Sequence, residues 1–348
     1  MKAITVEPKR AGSAKWEEVQ DPDSREGSVL VETIAVGVCG TDVEIVEGKY
    51  GWAPPGKTRL ILGHESLGRV LESDPAGKLK KGDLVVGIVR RPDPVPCPNC
   101  AVGEWDMCRN GHYTERGIKQ IDGFMSERWR IESEYVMKVD NSLGLLGVLL
   151  EPTTVVTKAW EQIDAIGRRS FWEPRTVLVT GGGPIGLLAA LLGKQRGLDV
   201  HVLDLVDSGL KPDLVRALGA SYHPGTVASV GFQPDIIVEC TGAGPVISDS
   251  IQELATGGIM CLTGIGGGDR RTGVTGDIAA QAVLKNNVVV GSVNANKRHW
   301  YKAGEALARA DHSWLDRMIT RREQPENFAS ALERRDNDIK VVVQFAEA

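Results

Sequence analysis

A glycine-rich turn between a strand pattern and a helix pattern constrains the fold of this chain most. Gly181, Gly183 and Gly186 follow the β-branched run 177–180 and open the Leu- and Ala-rich helix pattern 186–196. Further strand patterns, separated by helical ones, occur at 200–204, 235–240, 258–263 and 288–292. Strands separated by helices of this length predict an α/β domain with a doubly wound parallel sheet.

In this context the glycine turn predicts a dinucleotide site. The first glycine makes the tight turn, the second lets the backbone approach a pyrophosphate, and the third lets helix and strand pack closely. Pro184 and Ile185 complete the turn at the start of the helix, whose N-terminus attracts phosphate charge. Asp204 ends the next strand, where a carboxylate accepts hydrogen bonds from ribose hydroxyls and repels a 2′-phosphate. Because Leu205 and Val206 follow it rather than Arg or Lys, we expect NAD to be preferred, with NADP as the alternative.

Outside this region the sequence pattern changes from alternating strands and helices to short strands. Short strand patterns punctuated by glycine and proline, such as 28–33, 68–72 and 83–88, predict a β-rich, barrel-like domain in the first 150 residues. A strand-like run at 339–345 ends the chain. At 348 residues two domains are expected. We place a β-rich domain at 1–150 and 298–348 and the dinucleotide-binding domain at 151–297.

Composition excludes several classes of function. The net charge of −5 offers no general attraction to nucleic acid or to an anionic membrane. The longest apolar stretch, 185–192, is too short to span a bilayer, and the segment 1–6 has no apolar region typical of a secretory signal. Three of the six cysteines fall within 97–108, a spacing that favours metal binding over disulfides. We therefore expect a cytoplasmic protein.

A second set of residues indicates metal chemistry. Cys39 lies in the segment 38–42, and His64 and Glu65 lie in the segment 63–68. A thiolate, an imidazole and a carboxylate are ligand types that suit Zn²⁺. Taken singly, Cys39 would more often be a small buried hydrophobic residue than a metal ligand, and His64 would more often be a structural histidine. Their combination, in a chain that also carries a dinucleotide turn, predicts an alcohol-type dehydrogenase with an open zinc position.

Three further segments, 113–118, 150–156 and 291–300, carry a family resemblance. Over essentially its whole length the chain resembles the zinc-dependent medium-chain dehydrogenases of the alcohol dehydrogenase superfamily, in their glucose 1-dehydrogenase branch. The resemblance implies a GroES-like β-rich catalytic domain and a Rossmann cofactor domain. It also implies oxidation of an aldose, D-glucose above all, at C1 to the lactone, with zinc acting on the hydroxyl and hydride passing to NAD(P).

Other functions stay open at this point. A polyol dehydrogenase of the sorbitol or threonine type would use the same zinc site on a secondary alcohol. The zinc residues argue against the zinc-free quinone reductase branch. A cofactor-binding protein recruited for a structural role would need no open zinc position. The resemblance implies a homo-oligomer, a dimer or a tetramer, formed through edge strands of the cofactor domain.

The resemblance also assigns the zinc ligands. Cys39 and His64 are the anchors, and Glu65 and Glu151 share the remaining place in an order that the sequence leaves open. Glu65 could instead be a buried carboxylate that holds an Arg, and Glu151 a carboxylate in the first turn of a helix. Thr41 and Glu65 are the candidate catalytic residues, with the Thr41 hydroxyl passing the released proton outward.

Substrate and cofactor contacts are implied in the same way. Glu115, Glu151, Asn294 and His299 are the candidates for binding the sugar. Asn294 could equally face the nicotinamide ribose, and Glu115 and His299 could be ordinary surface residues. Lys340 corresponds to a basic residue that meets the cofactor pyrophosphate, although an isolated Lys in a terminal strand is also typical of an edge-strand charge.

The cysteine cluster is a candidate for a second, structural zinc. Cys97, Cys100 and Cys108 fit the spacing of the structural-zinc lobe found in much of the family, but Pro94 fills the first position. The lobe either binds zinc with a fourth ligand or is metal-free and held by packing. The candidates for that fourth ligand are Asp93, Asp106 and His112.

Overall fold

The chain forms two compact units. The computed structural model describes residues 1–72, 77–266 and 275–348. The first unit comprises Met1–Glu151 and Ala295–Ala348, and the second comprises Pro152–Asn294. In the described residues, no helix is both long and apolar enough to cross a membrane.

The elements are numbered along the chain. The strands are β1 (Lys2–Val6), β2 (Lys15–Glu18), β3 (Val29–Gly37), β4 (Leu60–Ile61), β5 (Glu65–Val70), β6 (Leu84–Gly87), β7 (Arg90–Arg91), β8 (Thr114–Arg116), β9 (Gln120–Ile121), β10 (Arg128–Ile131), β11 (Val136–Lys138), β12 (Thr176–Thr180), β13 (Asp199–Asp204), β14 (Ser221–Pro224), β15 (Ile236–Glu239), β16 (Ile259–Leu262), β17 (Val288–Gly291), β18 (Ile319–Glu323) and β19 (Lys340–Gln344). The α-helices are α1 (Gly40–Val46), α2 (Pro98–Ala101), α3 (Leu150–Gly167), α4 (Pro184–Gln195), α5 (Leu210–Ala217), α6 (Gly244–Glu253), α7 (Gly276–Leu284), α8 (Lys297–Ala308), α9 (His312–Met318) and α10 (Phe328–Leu332). Short 3₁₀ turns occur at Ser24–Glu26, Trp105–Met107, Ser133–Tyr135, Asn141–Leu149, Val227–Val230 and Pro325–Asn327.

The first unit is β-rich. Its largest sheet has the order β11-β6-β5-β3-β19-β18, and β10 also pairs with β3. Two smaller sheets have the orders β2-β1-β4 and β7-β8-β9. Apolar residues such as Phe124 and Trp129, whose rings meet edge to face at 4.8 Å, fill the core between these strands.

Strand β3 brings distant parts of this unit together. Gly37 pairs with Glu65 of β5 on one side and with Val342 of β19 on the other. A β-carbon on Gly37 would lie 2.0 Å from Glu65 Oε2, so only glycine leaves room for this carboxylate. The C-terminal strand therefore lies beside the segment that carries Glu65.

The described residues of the second unit form one parallel sheet with the order β14-β13-β12-β15-β16-β17. Val177, Leu178 and Val179 of β12 are all fully buried, as expected for a parallel strand covered on both faces. Helix α4 begins at Pro184. Proline is well accepted at the first position of a helix, because a backbone N–H there would have no partner within the helix. The predicted doubly wound α/β fold is present.

Candidate metal centre and nucleotide-binding turn

Three donor side chains meet in the first unit. The candidate ligand atoms of Cys39, His64 and Glu65 all lie within 4.8 Å of one another, and we call these residues the mixed donor group. Cys39 follows β3 as the N-cap of α1, and Glu65 begins β5 opposite Gly37. His64 and Glu65 are buried, whereas Cys39 is half-buried. The pairing of β3 with β5 therefore assembles donors from two separate segments.

Asp42 supports two members of this group. Its Oδ2 accepts a hydrogen bond from the backbone N–H of Cys39 at 2.9 Å, and its Oδ1 lies 3.4 Å from His64 Nδ1. Burial disfavours protonation of His64, but Asp42 and Cys39 outweigh it and hold the His64 pKa well above its ordinary value. Asp42 was not among the predicted site residues, although its position three residues after a helix N-cap is typical of a capping box.

Lys340 has a different environment from the pyrophosphate contact that the resemblance implied. Its Nζ donates to both carboxylate oxygens of Glu65, at 2.8 and 2.6 Å, and to the carbonyl of Val38 at 3.1 Å. A lysine ammonium has three N–H donors, so these contacts engage all of them. Glu65 thus holds a buried lysine and not the Arg of the alternative prediction.

Glu151 lies in the first turn of α3 and shares the electrostatic environment of the mixed donor group. Burial, together with the charge of Glu65, raises the pKa of Glu151 to about 7, while His64 and Lys340 act in the opposite direction. Thr41 is also close, with its hydroxyl oxygen 3.9 Å from Cys39 Sγ. The structure therefore brings the candidate zinc ligands and the candidate relay residue into one region.

The mixed donor group fits Zn²⁺. Sulfur, nitrogen and oxygen donors are the ligand types that zinc takes in proteins, and a zinc-bound histidine almost always donates its second ring N–H to a carboxylate or carbonyl. Asp42 Oδ1, 3.4 Å from His64 Nδ1, is the carboxylate in position for this role, which leaves Nε2 for a metal. Ionised carboxylates accept several bonds, so the ion pair with Lys340 does not exhaust Glu65.

Two candidate sugar-binding residues are buried rather than on the surface. Glu115 Oε1 accepts hydrogen bonds from Nε and Nη2 of Arg90, at 3.1 and 2.9 Å. The Arg90 guanidinium lies 3.7 Å from the ring centroid of Tyr113. His299 is fully buried, and its Nδ1 accepts the backbone N–H of Asn296 at 3.0 Å. Their interpretation as ordinary surface residues was therefore wrong.

The segment around His299 contains a polar network that sequence reasoning missed. The side-chain amide of Asn296 donates to Glu104 at 2.9 Å and to Asp106 at 3.0 Å. Asn294, two residues earlier, has a φ of +61° and is the last residue of the second unit. Asp106, a candidate fourth ligand for the cysteines, is thus engaged with Asn296.

Cys97, Cys100 and Cys108, which we call the cysteine group, also place their sulfur atoms within 4.8 Å of one another. Backbone N–H groups of Arg109 and Cys100, at 3.3 and 3.5 Å, point at Cys97 Sγ and lower its pKa to about 6. Burial raises the pKa of Cys100 to about 11. The three thiols fit three positions of a tetrahedral zinc site.

The candidate fourth ligands of the cysteine group have other contacts. Asp93 accepts hydrogen bonds from the backbone of Val95 at 2.9 Å and from the Asn110 amide at 2.8 Å. His112 is exposed, with its Nδ1 3.6 Å from Asp93 Oδ2. For either side chain to complete a zinc site with the cysteine group, it would have to leave these contacts.

The glycine turn of the second unit has the geometry that its sequence predicts. Gly181 has a φ of +93°, and a β-carbon on Gly186 would lie 1.7 Å from the carbonyl oxygen of Gly181. At Gly183, the N-cap of α4, a β-carbon would meet no described atom within 4 Å. The turn is therefore tight where helix and strand pack, and open at the glycine that a pyrophosphate would approach.

Asp204 lies beside this turn. Its Oδ2 accepts the backbone N–H of Gly182 at 2.6 Å, and its Oδ1 accepts that of Leu205 at 2.6 Å. Lys211 Nζ lies 3.3 Å from Oδ2. Burial raises the pKa of Asp204, but the Gly182 N–H and the Lys211 charge outweigh it, so the pKa is lowered. An ionised carboxylate beside an open glycine turn fits a dinucleotide ribose.

Comparison with known proteins agrees with this arrangement. A family model described as the glucose dehydrogenase C-terminus matches residues 144–345, and one described as the alcohol dehydrogenase GroES-like domain matches residues 25–141. Glucose 1-dehydrogenase 2 of Vulcanisaeta moutnovskia is 38% identical over 100% of both chains, and glucose 1-dehydrogenase 1 of Caldivirga maquilingensis is 39% identical over 99% of both. A glucose dehydrogenase from Haloferax mediterranei, solved in complex with NADP, Zn and gluconolactone, has a TM-score of 0.91 and 31% identity, with 100% of both chains covered. The predicted combination of GroES-like and Rossmann folds is confirmed.

Proposed function

Because this chain belongs to the glucose dehydrogenase family of the zinc-dependent medium-chain dehydrogenases, we propose that it oxidises D-glucose at C1 to the lactone with NAD or NADP as hydride acceptor. The observation that carries the proposal is the mixed donor group, in which a thiol, an imidazole and a carboxylate meet within 4.8 Å. A relative of the same fold is known with NADP, Zn and gluconolactone, and gluconolactone is the product of this reaction.

When bound, zinc supplies Lewis acidity that favours loss of the proton from the substrate hydroxyl. Cys39 and His64 would be zinc ligands whether Glu65 or Glu151 is the third ligand. Asp42 would set the orientation of the His64 ring. Glu65 and Glu151 are the carboxylates that complete the group. Lys340 restrains Glu65 through hydrogen bonds of 2.8 and 2.6 Å, whereas Glu151 belongs to the first turn of α3.

Thr41 is the proposed route for the proton leaving the substrate. Its hydroxyl is 3.9 Å from Cys39 Sγ, and a hydroxyl can accept one proton while donating another. Thr41→Ala should lower kcat about 100-fold at unchanged zinc content, and Thr41→Ser should restore most of it. An unchanged kcat in Thr41→Ala would exclude this route.

The other candidate site residues are proposed to bind the dinucleotide cofactor or the sugar substrate. The glycine turn at Gly181, Gly183 and Gly186, with Pro184 and Ile185, is the proposed pyrophosphate site, and Asp204 the adenosine ribose site. Glu115 and His299 are the proposed sugar contacts, and both are buried and held by hydrogen bonds to neighbours. A site that binds a polyol through such groups rejects analogues that lack the matching hydroxyl. Asn294 is proposed for either the sugar or the nicotinamide ribose.

The decisive experiment is a substrate panel followed at the nicotinamide absorbance. D-Glucose, other aldoses, sorbitol and threonine are each offered with NAD and with NADP. We expect kcat/KM to be highest for an aldose, and Cys39→Ser to abolish turnover of every substrate. A higher kcat/KM for sorbitol or threonine would instead identify a polyol-type dehydrogenase.

The second unit also carries a candidate self-association edge. Strand β17 ends the parallel sheet, and Val289 on it is 40% exposed. Val283 and Leu284, at the end of α7, are 75% and 78% exposed. We infer a homo-oligomer in which β17 edges of two copies meet, since an apolar edge strand readily pairs with another chain. Val289→Lys should reduce the mass measured by light scattering, whereas Phe171→Lys, which alters another exposed apolar residue, should not.

A further inference from the structure

A lysine that the sequence does not place near Asp204 is beside it in the fold. Lys211, in the first turn of α5, is seven residues beyond Asp204, and its Nζ lies 3.3 Å from Asp204 Oδ2. Its side chain is 22% exposed and that of Asp204 is 14% exposed. Leu205 and Val206, directly after Asp204, carry no positive charge, and the predicted preference for NAD rests on them. The helix supplies the basic group that those positions lack.

Asp204 does not depend on this lysine for its position. Each of its carboxylate oxygens accepts a backbone N–H at 2.6 Å, from Gly182 and from Leu205. These two bonds fix the carboxylate whether or not Lys211 is present. The Lys211 side chain keeps 22% of its surface exposed, so water can take its place beside the carboxylate. The ammonium can therefore leave Asp204 at low cost when a stronger anion arrives.

A 2′-phosphate is such an anion. It differs from the ribose hydroxyl of NAD by about two negative charges, which Asp204 alone would repel. Lysine is a flexible point charge with three donors and commonly binds phosphate. Arg216, further along the same helix, is 3.3 Å from Asp213 and lies against the Tyr222 ring, so its guanidinium already has partners. Lys211 is the cation already in contact with the ribose-binding carboxylate.

We propose that Lys211 is the residue through which this chain accepts NADP as well as NAD, by moving from Asp204 to the 2′-phosphate. With NAD the ribose hydroxyls donate to Asp204, and Lys211 stays paired with it. With NADP the ammonium lies between the carboxylate and the phosphate and offsets their repulsion. The proposal rests on the proposed function in so far as the glycine turn binds a dinucleotide.

The test measures binding rather than turnover. Isothermal titration of the full-length, zinc-loaded protein with NAD, NADP, 5′-ADP and 2′,5′-ADP gives Kd for each ligand pair with and without the 2′-phosphate. Lys211→Met should raise Kd for NADP and 2′,5′-ADP about tenfold or more, the effect of losing a hydrogen bond to a charged group. Kd for NAD and 5′-ADP should change less than about threefold. Lys211→Arg should retain affinity for NADP, and the matched control Arg216→Met should alter neither pair.

Two results would overturn the role of Lys211. Equal weakening of NAD and NADP by Lys211→Met would show that the lysine only supports the fold around Asp204. Unchanged affinity for NADP would show that the phosphate is bound elsewhere. Neither result would contradict the proposed function. That function would be contradicted if the wild-type protein bound neither dinucleotide or did not oxidise glucose.

Discussion

The mixed donor group and the cysteine group are both compact but are built in opposite ways. Each has its candidate ligand atoms within 4.8 Å of one another. The cysteine group comes from the single short segment 97–108, and the contacts that the structure gives Cys97 are to nearby backbone N–H groups. The mixed donor group joins the end of β3 to the start of β5 and is supported by Asp42 and by Lys340, which lies 275 residues from Glu65.

Because of this difference, the cysteine group depends on the folding of one segment, whereas the mixed donor group depends on the folding of the whole first unit. A group built from one segment can form whenever that segment folds, and its loss should affect mainly the segment. A group supported by a buried ion pair across the unit requires the correct pairing of β5, β3 and β19. We therefore expect changes at the mixed donor group to affect the reaction directly, and changes at the cysteine group to affect stability.

The largest expected effect comes from removing one thiol of each group. Cys39→Ser should lower kcat at least about 1,000-fold, because loss of the catalytic metal removes several kcal/mol of charge stabilisation. Cys97→Ser should leave kcat per folded molecule within about threefold and lower the melting temperature instead. Metal analysis should find one zinc fewer in each variant. A wild-type content near one zinc per chain, unchanged in Cys97→Ser, would mean that the cysteine group is metal-free.

The buried ion pair gives the next largest effect. Lys340→Met leaves Glu65 charged and buried without its partner, which should lower the free energy of unfolding by about 3–5 kcal/mol in urea titrations. The matched control is Lys138→Met, which breaks the exposed pair with Asp83 and should cost less than about 1 kcal/mol. A loss below about 1 kcal/mol in Lys340→Met would show that the bound metal, rather than Lys340, balances the charge of Glu65.

The smallest effect concerns the support of His64. Asp42→Asn keeps an oxygen that can accept the Cys39 N–H but removes the charge facing His64, so zinc affinity of the mixed donor group should fall about 10- to 100-fold. Competition with a chromogenic chelator measures this affinity. Asp93→Asn is the counterpart beside the cysteine group and should leave the catalytic zinc in place. Equal zinc loss in both variants would contradict the separation of the two groups.

Much of the second unit was predictable because its signals are local. The strand–turn–helix pattern at Gly181 to Gly186 contains its own geometry, since Gly186 tolerates no β-carbon beside Gly181. Asp204 was likewise identified from its place at the end of the next strand. Lys211 was not, because its approach to Asp204 depends on where α5 begins. The sequence distance of a basic residue did not reveal its distance in space.

The first unit was less predictable for the same physical reason. Cys39 and His64 could be recognised by residue type and by resemblance, but the role of Asp42 depends on a helix cap and on the position of β5. The partner of Lys340 depends on β19 lying beside β3, a pairing that no local pattern encodes. Glu115 is buried beside its ion-pair partner Arg90, which lies on a neighbouring strand that no local pattern identifies. The choice between Glu65 and Glu151 as the third zinc ligand, and the fourth ligand of the cysteine group, stay predictions.

The position of β19 also has a consequence for biosynthesis. Glu65 emerges from the ribosome long before Lys340, and the whole second unit is translated between them. Domains generally fold as units during synthesis, so we expect the second unit to be folded while the 35–37 end of β3 in the first unit still lacks its β19 partner. For that interval an acidic side chain destined for the interior stays hydrated. The zinc centre of this enzyme is thus one of the last parts of the molecule to mature, and its metal is best acquired after release of the finished chain.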